Sequence, residues 1–230
     1  MDKVAVLQSN YIPWKGYFDI INDVDTFIFH DDLQFTKNDW RNRNKIKTET
    51  GVKWLTIPVG CNEKRLICEV VMPENTWGQK HWNTIEQFYG RAPYFNKYRD
   101  FFREVYLGRQ WATLSELNHF LIKYISKEFL GIKTVFKNSR DYHITGTKLE
   151  RLLELLKKAE ARIYVSGPSA QDYIEEQKFK EANIQLIYKD YSGYPEYPQF
   201  YPPFEHSVSI IDLLFQTGPE APYYIWGWRG

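Results

Sequence analysis

Cysteine is scarce in this chain: two residues in 230, Cys61 and Cys68. That is too few for a disulfide scaffold or a four-cysteine zinc site, and both are expected to be reduced. Long apolar runs are missing as well. No stretch approaches the ~18–20 apolar residues of a membrane span. The opening MDKVAVLQSN lacks the charged-then-apolar layout of a signal peptide, so a cytoplasmic protein with no membrane span is expected. Neither sign of charge is in excess: 30 Lys and Arg face 29 Asp and Glu, a formal +1, which argues against a protein whose main task is coating duplex nucleic acid. The five histidines show no metal-ligand spacing, and no metal site is expected. The glycines of a P-loop or a Rossmann dinucleotide fingerprint are absent, as are internal repeats and a domain linker.

What the chain has in quantity is aromatic surface: 8 Trp, 17 Tyr and 15 Phe, 17% of all residues. Rings with polar handles suit a packed core and also pockets that stack on a sugar or a base. Apolar periodicity predicts strands at 3–8 and 26–30 with a helix over 16–22 between them, a βαβ unit. The last hundred residues alternate again, with strands at 133–136, 162–165 and 184–188 and helices over 147–160, from 169, and over 207–216. Alternation means a parallel sheet, so the fold class expected is α/β, a doubly wound, mostly parallel sheet in one domain over 1–230. Residues 33–130 are read as an insertion: a basic run, a strand KWLTIPV, an apolar stretch LICEVV and then helices over 77–89 and 96–106. A third helix is bounded by a capping box at Thr113/Glu116 and by Gly131. A second capping box is expected at Thr147/Glu150. Residues 191–206, YSGYPEYPQFYPPFEH, are too rich in proline for a regular element and are read as a cover over the mouth of the sheet, a lid or a wall.

In doubly wound sheets ligands bind outside the carboxyl ends of the strands. The first strand ends in Gln8, followed by Asn10, Tyr11, Trp14, Lys15 and Gly16; Lys15 offers a charge for a phosphate and Gly16 permits close backbone approach. Turn shaping and packing explain part of this loop equally well. Strand two ends in His30, Asp31 and Asp32, followed by Gln34. Adjacent strand residues face opposite sides, so one of the two carboxylates is expected in a given cleft, as base, ligand for a hydroxyl, or cap. From 37 to 53, Lys37, Arg41, Arg43, Lys45, Lys47 and Lys53 stand against Asp39 and Glu49, a local +4. Arg41 and Arg43 are expected on one face for a phosphate, with Trp40 interleaved. Ser166 and Gly167 form another strand-to-helix turn of phosphate-binding type, and His206 with Ser209 and Asp212 is a further small polar cluster.

The blocks LQSNYIPWKGYFDII, DDLQFTKNDWRNRNKIKT, WLTIPV, APYF, YVSGPSAQDYI and SIIDLLFQTG resemble the WbqC-like family over nearly the whole chain. That resemblance implies a role in bacterial O-antigen or other surface-polysaccharide assembly, with glycine transfer as the implied activity. The order of strand, Pro13-Trp14-Lys15-Gly16-Tyr17, helix, strand and Asp31 is also similar to nucleotidyl-transferring proteins with an HxGH motif, pantothenate synthetase among them. Here Trp14 and Tyr17 replace the two histidines that stabilise charge on ATP phosphates, so a donor other than ATP is the economical reading, and no cofactor is named. The expectation is a transferase moving a small acyl or aminoacyl group, such as glycyl, from an activated donor, aminoacyl-tRNA among the candidates, to a nucleotide-linked amino sugar. Its alternative is a non-catalytic binding protein for a nucleotide sugar or an aminoacyl-tRNA. Lys15, Arg41 and Arg43 would hold phosphates, Asp31 or Asp32, beside His30, would act on the amine, and Asn10 and Gln8 would bind carbonyl or sugar.

Overall fold

The computed structural model describes residues 2–74, 76–172 and 174–229. Strand β1 (Lys3–Leu7) leads through helix α1 (Lys15–Asn22) to β2 (Thr26–Phe29). A long connection follows, made of the hairpin β3 (Arg43–Thr48) and β4 (Gly51–Thr56) and the helices α2 (Thr76–Tyr89), α3 (Phe95–Arg103) and α4 (Leu114–Tyr124). Alternation resumes with β5 (Val135–Asn138), α5 (Lys148–Lys158), β6 (Ile163–Ser166), α6 (Glu176–Glu181) and β7 (Gln185–Tyr188), and α7 (Ile210–Thr217) follows. The five-stranded sheet is parallel throughout and ordered β5-β2-β1-β6-β7, the doubly wound α/β arrangement expected.

Period-two alternation sorts the strand residues to the two faces. Val4, Val6, Ile28 and Tyr164 pack under α5 and α6 with Leu155, Leu156 and Phe179. Ala5, Phe27, Phe29 and Val165 face α1 through Phe18, Ile20 and Ile21, and that apolar cluster runs on into α2, α3, α4 and α7. Each fully buried ring or branched side chain of this kind contributes roughly 1.5–3 kcal/mol, so the sheet edges that carry polar residues rest on a stiff base.

Several expectations are corrected in detail. The basic run is a strand: Arg43–Thr48 pairs antiparallel with Gly51–Thr56, which turns Asn44, Ile46 and Thr48 inward. KWLTIPV therefore contributes to a hairpin that ends at Thr56, and LICEVV makes a 3-10 turn over Ile67–Glu69. The helix from 169 is a 3-10 turn, Pro168–Asp172, with α6 starting only at Glu176. Thr113 does cap α4, accepting from Glu116 N, but Glu116 answers to Ala112 N rather than to Thr113. The Thr147 box does not form. Lys148 enters α5 at φ 48°, and the loop amides of Thr145 and Gly146 donate instead to Glu154, each at 3.0 Å. Gly131 takes the left-handed conformation at φ 68°. Residues 191–206 form no regular element; Tyr194 and Tyr197 are buried, anchored through their hydroxyls to Asp19 in α1 and Asp212 in α7. Both cysteines are free thiols. Among the described residues no helix is long and apolar enough to cross a membrane, and no group of three or more His, Cys, Asp or Glu could hold a metal ion.

Candidate functional site

The chain leaves β1 toward β2 on one side, while β6 arrives on the other, so the strand order reverses between β1 and β6. A crevice outside the carboxyl ends is expected there. A cleft of about 540 Å3 opens at that point, lined by Gln8 after β1, His30 and Leu33 after β2, Lys148 and Leu149 at the start of α5, and Ser166, Gly167, Ser169 and Glu175 after β6. Its volume lies within the ~300–1,000 Å3 of small-molecule sites. Four sequence candidates, Gln8, His30, Ser166 and Gly167, thus meet in one cleft.

His30 is 8% exposed, and its Nε2 is buried without a hydrogen-bond partner. Burial pushes its pKa below the ordinary value of 6.5; Arg151 acts in the same direction, and Asp32 and Asp31 oppose it only in part. The ring is neutral at pH 7 and can accept a proton. Asp32 accepts from Ser139 Oγ and Arg151 Nη2, so its charge is compensated. These donors and the neighbouring His30 outweigh burial and hold its carboxyl below the usual range.

Asp31 turns to the other face. It is fully buried and accepts from Ser9 N, Ser9 Oγ and Ser115 Oγ at 2.7 Å each and from His119 Nε2 at 2.9 Å. Burial alone would raise this carboxyl, but donation from His119, Ser115 and Ser9 keeps it low. With both oxygens occupied Asp31 can act on a ligand only by positioning Ser9 and His119. The imidazole of His119 lies flat on Phe29, centroids 3.9 Å apart.

Arg41 folds inward and donates to Gln8 Oε1 and Asn10 Oδ1 together. Gln8 lines the large cleft, and Asn10 lines a second one of about 200 Å3 with Pro13, Trp14, Trp40, Asn44 and Ser207. The guanidinium therefore stands between two clefts. The expected common face of Arg41 and Arg43 is not made: Arg43 points outward, its Cζ 4.2 Å above the Trp54 ring. The loop between β1 and α1 is strained, with Ile12 at φ 36°, and Asn44 Nδ2 holds it by donating to Tyr11 O and Ile12 O, each at 3.0 Å. Gly16 is obligatory there, because a Cβ would lie 2.3 Å from the Trp14 indole.

Lys15 is 2% exposed. Expected to hold a phosphate, it instead places its ammonium under residues 191–206, 4.8 Å from the Tyr194 ring centroid and 5.4 Å from that of Tyr197, with Pro195 O at 3.4 Å. Burial lowers its pKa to about 8 despite the nearby Asp212. Tyr11 is likewise interior, its hydroxyl on His81 Nδ1 at 2.8 Å and Tyr106 Oη at 2.7 Å. His206 is exposed beside Phe204, while Asp212 is buried under Tyr89, Tyr197 and Gln199, so the expected His206–Ser209–Asp212 face is not assembled. Gln34 and Lys37 are exposed, Lys37 opposite Glu63 at 3.9 Å.

Ser9, Ser115, Asn118, Ser139, Lys148 and Arg151 escaped the sequence reading, whereas His119, beside the apolar stripe of its helix, read as structural. One signal was present: Ser115, Asn118 and His119 follow helical i, i+3, i+4 spacing beside the apolar stripe of α4. Asn118 joins the site by donating to Arg41 O at 2.9 Å and Ser9 Oγ at 3.3 Å.

Comparison with known proteins places this arrangement among relatives. The profile of the WbqC-like protein family matches residues 8–224. An uncharacterized protein of Mycobacterium tuberculosis (strain H37Rv), Rv1507c, is 46% identical over 227 residues, 98% of each chain. No solved structure matches the chain.

Proposed function

Because the chain belongs to the WbqC-like protein family, we propose that it is a transferase of surface-polysaccharide assembly that moves a small acyl or aminoacyl group, such as glycyl, to the amine of a nucleotide-linked sugar. The observation that carries this reading is the neutral imidazole of His30, which lines the switch-point cleft and keeps its Nε2, just beneath the surface, without a hydrogen-bond partner. As the free amine bonds to the carbonyl carbon its nitrogen becomes acidic and must shed a proton, and a neutral imidazole can take it. The sugar nucleotide occupies the 540 Å3 cleft, with Lys148 and the Ser166-Gly167 turn toward its phosphates, and the donor enters the smaller cleft past Asn10 and Trp14.

In the reaction the sugar nitrogen attacks the acyl carbon and a C–N bond forms. The bond from that carbon to the donor's ester oxygen or thioester sulfur breaks. The amine proton passes to His30 Nε2 and then to the leaving oxygen or sulfur. Arg41, shared by Gln8 and Asn10, orients the two polar side chains that flank the junction. Calorimetric titration tests the acceptor half of the reading. A uridine-diphosphate-linked amino sugar should bind the wild type and lose at least tenfold in affinity with Lys148→Ala. Equal affinity in both, or none in either, counts against it.

A further inference from the structure

The outer face of the hairpin carries a second cluster, which shares Trp40 with the smaller cleft. Trp40 and Trp54 are 39% and 38% exposed, with ring centroids 5.3 Å apart and planes inclined by 39°. The fold uses both residues through their backbone. Trp40 O accepts from Tyr11 N at 2.9 Å and Trp40 N donates to Asp39 Oδ1 at 2.7 Å, while Trp54 pairs with Lys45 in the ladder. Two indoles held side by side in water by a rigid hairpin form a ready-made aromatic platform.

Cations frame the rings. Arg43 Cζ lies 4.2 Å from the Trp54 centroid, and Lys45 Nζ lies 5.4 Å from Trp54 and 5.8 Å from Trp40. Arg43 Nε is buried without a hydrogen-bond partner. Two acids lie near these cations: Asp39, engaged by Thr36 Oγ1 at 2.6 Å, by Trp40 N and by Arg41 at 3.7 Å, also acts on Arg43, and Glu205, held by Ser207, acts on Lys45. The hollow between Asn38, Asp39, Trp40, Arg43, Lys45 and Trp54 measures about 220 Å3, below the ~300–1,000 Å3 of whole-ligand pockets and suited to one flat ring system. Asn38 offers a sugar one amide, but Asp39 is already engaged, and an aliphatic partner would leave Arg43 Nε without an acceptor. A flat ring joined to an anion satisfies both halves of the cluster.

We propose that Trp40, Trp54, Arg43 and Lys45 form a stacking site for the base of a phosphate-bearing nucleotide ligand, with Arg43 and Lys45 pairing the phosphate. This goes beyond the transfer reading; apart from Trp40, which also lines the smaller cleft, its residues belong to the hairpin. The test is equilibrium binding of UMP, AMP and a four-nucleotide single-stranded RNA, with an abasic ribose-phosphate tetramer, inorganic phosphate and maltose as controls. Nucleotides should bind, Trp54→Ala and Arg43→Ala should each weaken them about tenfold or more, and Trp54→Phe should keep most of the affinity. Circular dichroism and Tm verify that each variant is folded. Comparable affinity for mononucleotide and RNA identifies a single-nucleotide ligand, and a tetramer at least tenfold tighter identifies an RNA end; both support the site. Equal binding of the abasic tetramer, preference for maltose, undiminished binding by Trp54→Ala, or no nucleotide binding overturns it.

Discussion

His30 Nε2 stands 3.7 Å from Asp32 Oδ1, outside hydrogen-bond reach, and Asp31, between them in the chain, points away into a different cluster. Asp32 directs its oxygens to Ser139 and Arg151 instead. The imidazole keeps its lone pair, and the nearby carboxylate biases that lone pair electrostatically without capturing it.

The pH profile of transfer should show this. Since burial sets the His30 pKa below 6.5 and protonation removes the base, kcat/KM should fall on acidification along a limb whose midpoint lies below pH 6.5. Asp32 raises that pKa, so Asp32→Asn should move the limb to still lower pH. A limb that stays in place in the variant contradicts the assignment.

Asp31 is a structural keystone of the opposite face. Asp31→Ala leaves four donors without their acceptor in a buried site, and should cost about 3–5 kcal/mol. Urea denaturation measures it. A loss below about 1 kcal/mol would mean that Ser9, Ser115 and His119 find other partners.

Lys15→Ala should not be silent. It empties a cage built by Tyr194, Tyr197 and Phe204 and should destabilise the protein by about 1–3 kcal/mol, reduced by the burial cost it relieves. The same denaturation series checks this, and a change within about 0.5 kcal/mol would mark the position as surface.

His81 predicts a stability loss in mild acid. Burial lowers its pKa to about 4 from 6.5. Between those values the unfolded chain binds the proton and the native protein does not, so the stabilisation is complete above pH 6.5 and is lost as pH falls toward 4. At roughly 1.4 kcal/mol per pH unit the site contributes about 2–4 kcal/mol over that window. Thermal melts from pH 7 to 4.5 should therefore show a shallower decline for His81→Gln than for the wild type. Parallel declines would contradict this.

The parts of the fold written in apolar letters were legible. Val4, Val6 and Ile28 against Ala5, Phe27 and Phe29 declare a buried parallel sheet by period two, and the same period separates Asp31 from Asp32. Of the hairpin only the second strand was, through KWLTIPV; the first was hidden because the residues Arg43–Thr48 turn inward include Asn44 and Thr48, polar side chains buried through hydrogen bonds. His119 lies 88 positions from Asp31, and no local spacing can announce such a contact. Lys15 read as a holder of phosphate because its cover, Tyr194 to Phe204, comes some 180 residues later.

The most direct test of the central claim is amide formation followed by mass spectrometry. Purified protein is incubated with a uridine-diphosphate-linked amino sugar and, in separate arms, glycyl-charged tRNA or a glycyl thioester, for wild type and His30→Gln. The account predicts a new N-glycyl sugar nucleotide in at least one arm, formed about 100-fold or more slowly by the variant. No amide in any arm, or equal rates for the two proteins, would contradict it.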